Sequence, residues 1–183
     1  LNIESTGKIV GNIKYGVYNN KGAIFNLSSG SIQTNKDSVT MVYNSGIFGY
    51  GKYSKLQTIN NKVIGIYNDT YGIINDTSGE IISTGNYDTL ISNNSSKQKK
   101  FNNLTLKNRS YEGYAIDANK YDIKIYDSYI LNEYSGSGVD ANSVDIYNSN
   151  IYIRNIRSTK PYSIDAKYVN IYNSNIEGLM SIT

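Results

Sequence analysis

Apolar residues recur along this chain at a nearly constant interval. Beginning at Val17 in "YGVYN", an apolar residue returns at the equivalent place after steps of 25, 24, 25, 25, 23 and 25 residues. The seven positions are Val17, Val42, Ile66, Ile91, Ile116, Val139 and Ile164. A fixed period of this size is typical of repeat proteins, in which each unit packs on its neighbours. It predicts about seven equivalent units of 23–25 residues.

Two further apolar columns divide each unit into three. The second column is predicted about seven residues after the first, at Ile24, Phe48, Ile73, Leu104, Ile123, Ile146 and Ile171. Leu104 comes six residues late, which predicts an extruded insertion carrying "KQKK". The third column is predicted at Ile9, Ile32, Leu56, Ile81, Ile130, Ile151 and Ile176. Short alternating segments divided by Asn, Gly, Ser and Asp predict three short strands and three turns per unit.

These features predict an all-β chain, a single-stranded parallel β-helix (β-solenoid) with about seven rungs. Helical repeats would need runs of about 10 to 12 residues with a 3.6 period, which the sequence lacks. The period continues through a change in rung type near residues 91–115, so we expect one domain over 1–183. The repeat is already under way at Leu1, and we interpret the chain as a fragment of a longer protein.

Strict alternation predicts which side chains face inward and which face outward. Two residues after the first column, the inward position holds four asparagines and then three alanines: Asn19, Asn44, Asn68, Asn93, Ala118, Ala141 and Ala166. Stacked asparagines predict an internal ladder of amide hydrogen bonds. The intervening outward position changes from tyrosine to aspartate along the rod: Tyr18, Tyr43, Tyr67, Ser92, Asp117, Asp140 and Asp165.

Composition removes several functional classes. The chain has no Cys and no His, which excludes disulfides, thiolate metal sites, cysteine nucleophiles and the commonest general base. The net charge of +3 is small and the basic residues are scattered apart from Lys97–Lys100, so we expect no nucleic-acid partner. No apolar stretch is long enough to predict membrane insertion.

Both halves of the chain resemble bacterial surface β-helices. The motifs "GVYNNKGAIFNLSSGSI" and "GIYNDTYGIINDTSGEI" are similar to coils of surface adhesins and autotransporter passengers. The motifs "AIDANKYDIKIYDSYI", "GVDANSVDIYNSNI" and "SIDAKYVNIYNSNI" are similar to surface β-helix proteins of Gram-positive anaerobes that are described as carbohydrate-binding. The resemblance implies a parallel β-helix that is secreted or displayed on the cell wall. Unrelated activities are carried on such coils, so it specifies fold more than function.

The aspartate column is a candidate ligand and metal site. Carboxylates of Asp117, Asp140 and Asp165 on adjacent rungs are expected about 5 Å apart, where they repel one another. A bound Ca²⁺ would offset that repulsion, since hard oxygen ligands suit it. The simpler interpretation is a row of solvated turn residues balanced by nearby lysines, namely Lys120, Lys124, Lys160 and Lys167.

The tyrosine column is a second candidate ligand site. Tyr18, Tyr43 and Tyr67 could offer flat amphipathic rings to a sugar or to a protein surface. The alternative is a structural stack of rings between rungs, and the same choice applies to Tyr126, Tyr147 and Tyr172. The basic segment Lys97, Lys99 and Lys100 is either a solvated loop or a contact for an anionic polymer such as teichoic acid or an acidic glycan.

We therefore expect a non-catalytic segment of a bacterial surface adhesin that binds a polysaccharide or a host surface protein through its lateral face, as a monomer. One alternative is a structural stalk whose role is length, and another is a trimeric phage-type spike. A polysaccharide lyase or glycoside hydrolase is a further alternative, because two aspartates of the column could meet the carboxylate spacing of a glycosidase. Against it, the short rungs leave little chain for a cleft, and Arg109, Arg154 and Arg157 lie outside that column.

Overall fold

The computed structural model describes residues 2–3, 8–11, 14–75, 77–134, 136–154 and 162–182. Within these ranges the chain forms strands and no helix. The strands are β1 (Asn2–Ile3), β2 (Lys8–Gly11), β3 (Tyr15–Asn19), β4 (Ile24–Thr34), β5 (Thr40–Asn44), β6 (Ile47–Thr58), β7 (Ile64–Asn68), β8 (Ile73–Ile74), β9 (Glu80–Ser83), β10 (Thr89–Asn93), β11 (Lys100–Asn102), β12 (Thr105–Asn108), β13 (Tyr114–Tyr126), β14 (Tyr129–Asn132), β15 (Ser137–Tyr147), β16 (Asn150–Ile153), β17 (Tyr162–Ala166), β18 (Tyr168–Tyr172), β19 (Asn175–Glu177) and β20 (Leu179–Ile182).

All strand pairs are parallel and join equivalent segments of successive turns, which confirms the predicted parallel β-solenoid of about seven turns. The first face runs in the order β3, β5, β7, β10, β13, β15, β17 and β20. The third face contains the end of β4, the end of β6, β9, β12, β14, β16 and β19. Between them the second face includes β8 and β11 and the remaining parts of the long strands β4, β6, β13 and β15. Since every backbone ladder runs between turns, each turn depends on its neighbours for its hydrogen bonds.

The first and third apolar columns are confirmed by the strand register. Val17 pairs with Val42, and the pairing continues turn by turn to Ile164 and then to Met180. In the third column, Ile81 pairs with Leu106 and Leu106 with Ile130, so Leu106 is the third-column residue of the fourth turn. From Ile32 to Ile151 the third-column residues are fully buried and form one side of the core.

Two of the three second-column residues predicted in the first half of the chain, Ile24 and Ile73, are one position wrong, whereas Phe48 is right. Ile24 pairs with Ile47 and Ile47 with Ile73, and Ile24 is 54% exposed. The buried column is one residue later, at Phe25, Phe48 and Ile74. Two adjacent apolar residues occur in each of these strands, so the sequence does not show which of them faces inward. In the second half Ile125, and not Ile123, pairs with Ile146.

The predicted extruded insertion is also wrong. Phe101 is fully buried and pairs with Ile125, so it fills the second column of the fourth turn in place of Leu104. Lys100 belongs to strand β11 and pairs with Lys124. The "KQKK" segment is therefore part of the wall of the coil.

The two rung types differ at the corner between the second and third faces. Asn103, Asp127, Asn148 and Asn173 all adopt positive φ at this corner. The corner is closed by a row of serines, because Ser128 and Ser149 each donate a hydroxyl to the carbonyl two residues earlier, at 2.6 and 2.7 Å. In the first half β4 and β6 continue through the same corner without such a turn. The first residue with this turn geometry at the corner is Asn103.

Candidate functional site

Three stacked tyrosine rings lie on the outside of the first face. The rings of Tyr18 and Tyr43 are 4.7 Å apart and 3° from parallel, and those of Tyr43 and Tyr67 are 5.2 Å apart and 18° from parallel. Strands β3, β5 and β7 place them in register, one per turn. The predicted column is thus present as a stack of rings, and Tyr18 is 54% exposed.

Tyr15 joins this stack, although the sequence analysis did not select it. Its ring lies 5.4 Å from Tyr18 and 5.2 Å from Tyr43, edge-on to the latter. Strict alternation from Val17 would put Tyr15 inside. In the next turn Met41 and Val42 are both buried, however, so the position before them faces outward. We call Tyr15, Tyr18, Tyr43 and Tyr67 the tyrosine face.

A surface groove of about 290 Å³ opens beside the tyrosine face. Its lining combines aromatic rings with hydroxyl groups and one amine, from Lys14, Tyr15, Ser38, Thr40, Tyr43 and Tyr67. Lys14 also places its ammonium 5.2 Å from the Tyr15 ring centroid. Flat rings beside hydroxyl and ammonium donors suit a ligand with both apolar and polar edges.

Burial and a nearby charge raise the pKa values of two tyrosine hydroxyl groups on this face. Burial, followed by a hydrogen bond with Asp69 and the charge of that residue, raises the pKa of Tyr43 to about 12. Burial and the charge of Asp69 also raise the pKa of Tyr67. Asp69 itself accepts a hydrogen bond from Ser45 at 2.7 Å, which holds the carboxylate at the corner. Both phenols therefore stay protonated, as hydrogen-bond donors, at neutral pH.

An asparagine ladder fixes the spacing of the tyrosines from inside. The side chains of Asn19, Asn44, Asn68 and Asn93 are buried and joined by amide hydrogen bonds of 2.7, 2.8 and 2.9 Å. This is the predicted internal ladder. Because each asparagine directly follows the tyrosine or serine of the outward column, the ladder and the stack hold the same strand ends.

The aspartate column is also present, in register on β13, β15 and β17. Asp140 and Asp165 line a groove of about 450 Å³ together with Asn119, Lys120, Asn142 and Lys167. Burial, then the charges of Asp117 and Asp165, raise the pKa of Asp140 to about 6. Burial and the same three carboxylates raise the pKa of Tyr114. The predicted repulsion between neighbouring carboxylates therefore contributes to the raised pKa of Asp140, the middle residue of the column.

The lysines predicted to balance this column divide between two places. Lys120 and Lys167 line the aspartate groove, whereas Lys124 forms an ion pair of 2.9 Å with Asp145 instead. Lys160 and Arg157 lie outside the described residues. Across the part of the chain that the structure describes, no three acidic side chains come close enough together to hold a metal ion. The calcium prediction gains no support from this geometry and stays a prediction.

A second tyrosine stack lies on the second face. Tyr126, Tyr147 and Tyr172 stand 4.5 Å apart ring to ring, within 6° of parallel. Lys100 places its ammonium 4.5 Å from the Tyr126 ring centroid. Among the described residues this stack has three rings, as in the first stack, and no fourth tyrosine joins it.

One buried carboxylate was missed by the sequence analysis. Asp88 is completely buried and accepts hydrogen bonds from the Val63 backbone at 2.8 Å and from the Ser83 hydroxyl. Burial raises its pKa to about 6. The signal was available, since the equivalent positions one and two turns earlier hold Val63 and Val39, both buried.

The other charged residues considered for catalysis have separate partners. Arg109 forms an ion pair of 2.9 Å with Glu133, and the guanidinium of Arg154 lies 5.8 Å from the Tyr152 ring. Neither is among the residues that line the aspartate groove.

Comparison with known proteins adds no family to this description. No protein-family model, no curated protein and no solved structure matches the chain.

Proposed function

We propose that this chain is a non-catalytic, glycan-binding segment of a secreted or cell-wall-displayed bacterial adhesin, and that the tyrosine face is its binding surface. The observation that carries the proposal is the groove beside the stacked rings, which brings Lys14, Ser38 and Thr40 next to Tyr15, Tyr43 and Tyr67. Pyranose rings present apolar C–H faces and hydroxyl edges, and tyrosine rings beside hydroxyl groups complement both.

The rigidity of the face favours binding. The stacked rings are held by parallel strands and by the asparagine ladder. They therefore lose little conformational freedom when a ligand binds. A preorganised surface keeps more of its contact energy as affinity. The one-turn spacing of about 4.8 Å also presents similar contacts in series, which suits a polymer lying along the rod.

The test is binding of the purified chain to a glycan array, followed by calorimetry on the polysaccharides retained. The variant Tyr18→Ala/Tyr43→Ala/Tyr67→Ala should bind at least about tenfold more weakly, a loss of about 1.4 kcal/mol. The matched control is Tyr147→Ala/Tyr152→Ala/Tyr172→Ala, which removes three outward rings from other faces and should bind normally. Circular dichroism and melting confirm that both variants fold. Normal binding by the first variant, or retention of no glycan by the parent chain, would overturn the proposal.

A stalk is the second candidate, and the unbroken register of the first and third columns favours it. Deleting residues 117–139 removes one turn and leaves the tyrosine face intact. If the chain serves as a stalk of a given length, this deletion should weaken cell adhesion, whereas the variant Tyr18→Ala/Tyr43→Ala/Tyr67→Ala should adhere normally. The reverse pattern supports glycan binding. A parent chain that retains a host protein but no glycan assigns the face to protein binding.

A further inference from the structure

The "KQKK" segment is held against the wall of the solenoid by a side-chain amide, which forms hydrogen bonds that backbone groups form elsewhere in the sheet. Gln98 is 4% exposed. Its Oε1 accepts from the backbone of Ile74 at 2.6 Å, and its Nε2 donates to the carbonyls of Ile74 and Lys100 at 3.3 and 2.6 Å. The Gln98 amide thus completes the ladder to the third turn, where backbone pairing is interrupted.

Further hydrogen bonds hold the same segment from both sides. Asn93 of the internal ladder donates its amide to the carbonyls of Ser95 and Gln98, at 3.4 and 3.3 Å. The Ser95 hydroxyl donates to the Thr70 carbonyl at 3.3 Å in the preceding turn. The Lys99 carbonyl accepts from the Lys124 backbone at 2.8 Å in the next turn. The backbone of 93–100 is therefore anchored to three successive turns.

This anchored backbone presents three exposed lysines around a shallow groove. Lys97, Lys99 and Lys100 line a space of about 250 Å³ together with Gln98, Asn75 and Asn102. We call it the lysine groove. Two further cations are close by. Lys21 and Lys97 lie 4.1 and 5.5 Å from the centroid of the same ring, Tyr71, and Lys124 is the strand partner of Lys100.

Little negative charge offsets these cations. Among the described residues, Lys21, Lys97, Lys99 and Lys100 form no ion pair, and Lys124 is already paired with Asp145. Asp122 is close enough for Lys99 to help lower its pKa, but its main partners are Asn142 and Ser143, each at 2.7 Å. Like charges held together by a fixed backbone repel, and an oxyanion bound between them removes that cost.

We infer that the lysine groove is a second binding site, independent of the tyrosine face, for an anionic polysaccharide. Carboxylate, sulfate or phosphate groups on the polymer would pair with Lys97, Lys99 and Lys100. Sugar rings would extend over Tyr71 and Tyr126, whose faces the lysines already flank. The low net charge of the whole chain favours a glycan over a nucleic acid, because the basic residues outside this groove are scattered along the chain.

The probes are dextran sulfate, polygalacturonate and inorganic polyphosphate, with neutral dextran and single-stranded DNA as comparisons. The parent chain should bind dextran sulfate or polygalacturonate in calorimetry, and neutral dextran weakly or not at all. Binding of neither anionic polysaccharide would overturn the inference. Affinity should fall with added salt. The order among sulfate, carboxylate and phosphate identifies the anionic group. Tighter binding of the DNA than of both anionic polysaccharides would overturn the assignment to a glycan.

Three variants test whether binding depends on the lysine groove itself or only on the positive charge of the chain. Lys97→Gln/Lys99→Gln/Lys100→Gln should weaken binding about tenfold or more and flatten its salt dependence. The control Lys8→Gln/Lys36→Gln/Lys52→Gln removes the same charge from exposed positions elsewhere and should bind normally. Gln98→Ala keeps every charge but releases the segment, and it should also bind more weakly. Equal losses in the first two variants, or normal binding by the first, would overturn the inference.

Failure of this inference is distinguishable from failure of the proposed function. The tyrosine-face variant keeps the three lysines of the groove, and the lysine variant keeps all four tyrosines of the tyrosine face. If only the lysine variant loses binding of the anionic polymer, the lysine groove is supported as a binding site, and this result does not depend on what the tyrosine face binds.

Discussion

Asn44 donates its side-chain amide to the side-chain oxygen of Asn68 at 2.8 Å, one turn further along the coil, and both residues are completely buried. The second amide hydrogen of Asn44 reaches the carbonyl of Ile73 at 3.2 Å. Its oxygen accepts from Asn19 at 2.7 Å. One side chain therefore connects three successive turns, and its loss would leave several buried groups without partners.

The first prediction follows from this ladder. Asn44→Ala should lower the free energy of unfolding by about 2 to 4 kcal/mol, because the Asn19 amide and the Asn68 oxygen each lose a buried partner. Urea denaturation followed by circular dichroism measures the change. Asn20→Ala is the control, since Asn20 is exposed and follows the ladder residue Asn19. Equal midpoints for Asn44→Ala and the parent would show that the ladder adds no stability.

The second prediction concerns Asp88 and pH. Burial raises its pKa from 3.8 to about 6, so the folded state holds the proton more tightly than the unfolded state. The stability that this group contributes is complete below about pH 4 and is lost as the pH rises through about 6. In Asp88→Asn the new amide can donate to the Ser83 hydroxyl, and the backbone N–H groups of Val63 and Gly85 share the remaining oxygen.

Asp88→Asn should therefore raise the free energy of unfolding at pH 7 by about 1 to 3 kcal/mol and remove the slope between about pH 4 and 6. Denaturation midpoints at a series of pH values provide the measurement. Glu177→Gln is the control, because Glu177 is exposed and is not among the groups that shift the Asp88 pKa, so the slope due to Asp88 should remain. A slope that survives in Asp88→Asn would assign it to another group.

The third prediction concerns the aspartate column. Asp117→Asn/Asp165→Asn should lower the pKa of Asp140 from about 6, since two of the three causes of its raised pKa are the charges of these neighbours. Burial remains, so the pKa should stay above its ordinary value of 3.8. Carbon-detected NMR titration of the Asp140 carboxyl group measures it. A pKa that does not move would leave burial as the whole cause.

The same titration tests calcium. The described residues show no group of three acidic side chains that could hold a metal ion, and millimolar Ca²⁺ added to the titration tests the predicted site directly. An unchanged Asp140 pKa and melting temperature would contradict it. A fall in the pKa together with a rise in the melting temperature would establish the calcium site.

The fourth prediction concerns Tyr43. Its pKa of about 12 means that the folded state disfavours ionisation, so stability is retained below about pH 10 and lost as the pH rises toward 12. Tyr43→Phe removes the ionisable hydroxyl and should reduce that alkaline loss. NMR of tyrosines labelled at Cζ resolves the titration, and the signal missing from Tyr43→Phe identifies the residue. A Tyr43 signal with its midpoint near 10 would contradict the raised pKa.

The sequence was most informative where the spacing stays constant. From Val17 to Ile164 and from Ile9 to Ile176, each column carries one apolar residue per turn, and the structure places those residues in register. The asparagine ladder and the tyrosine stack followed from the same spacing, because alternation within one short strand needs no knowledge of distant residues. The functional assignments of these columns stay predictions.

The second face could not be predicted in the same way. The corner before it changes in length from turn to turn, with seven residues from Val139 to Ile146 and ten from Ile91 to Phe101. Corners absorb such differences at little cost, so spacing alone does not identify the paired residues. Adjacent apolar residues such as Ile24 and Phe25 then leave the inward direction open.

The sequence by itself determined the repeat, the parallel coil and the two columns with constant spacing, since stacking identical units is the only way each can bury its apolar side. Only the tertiary structure decided that the Gln98 side chain completes a strand ladder, that Asp88 is buried in an otherwise apolar position, and that Tyr15 joins the stack. Each of these depends on contacts between turns about 25 residues apart. Side-chain identity and local spacing do not specify such contacts until the turns are in place.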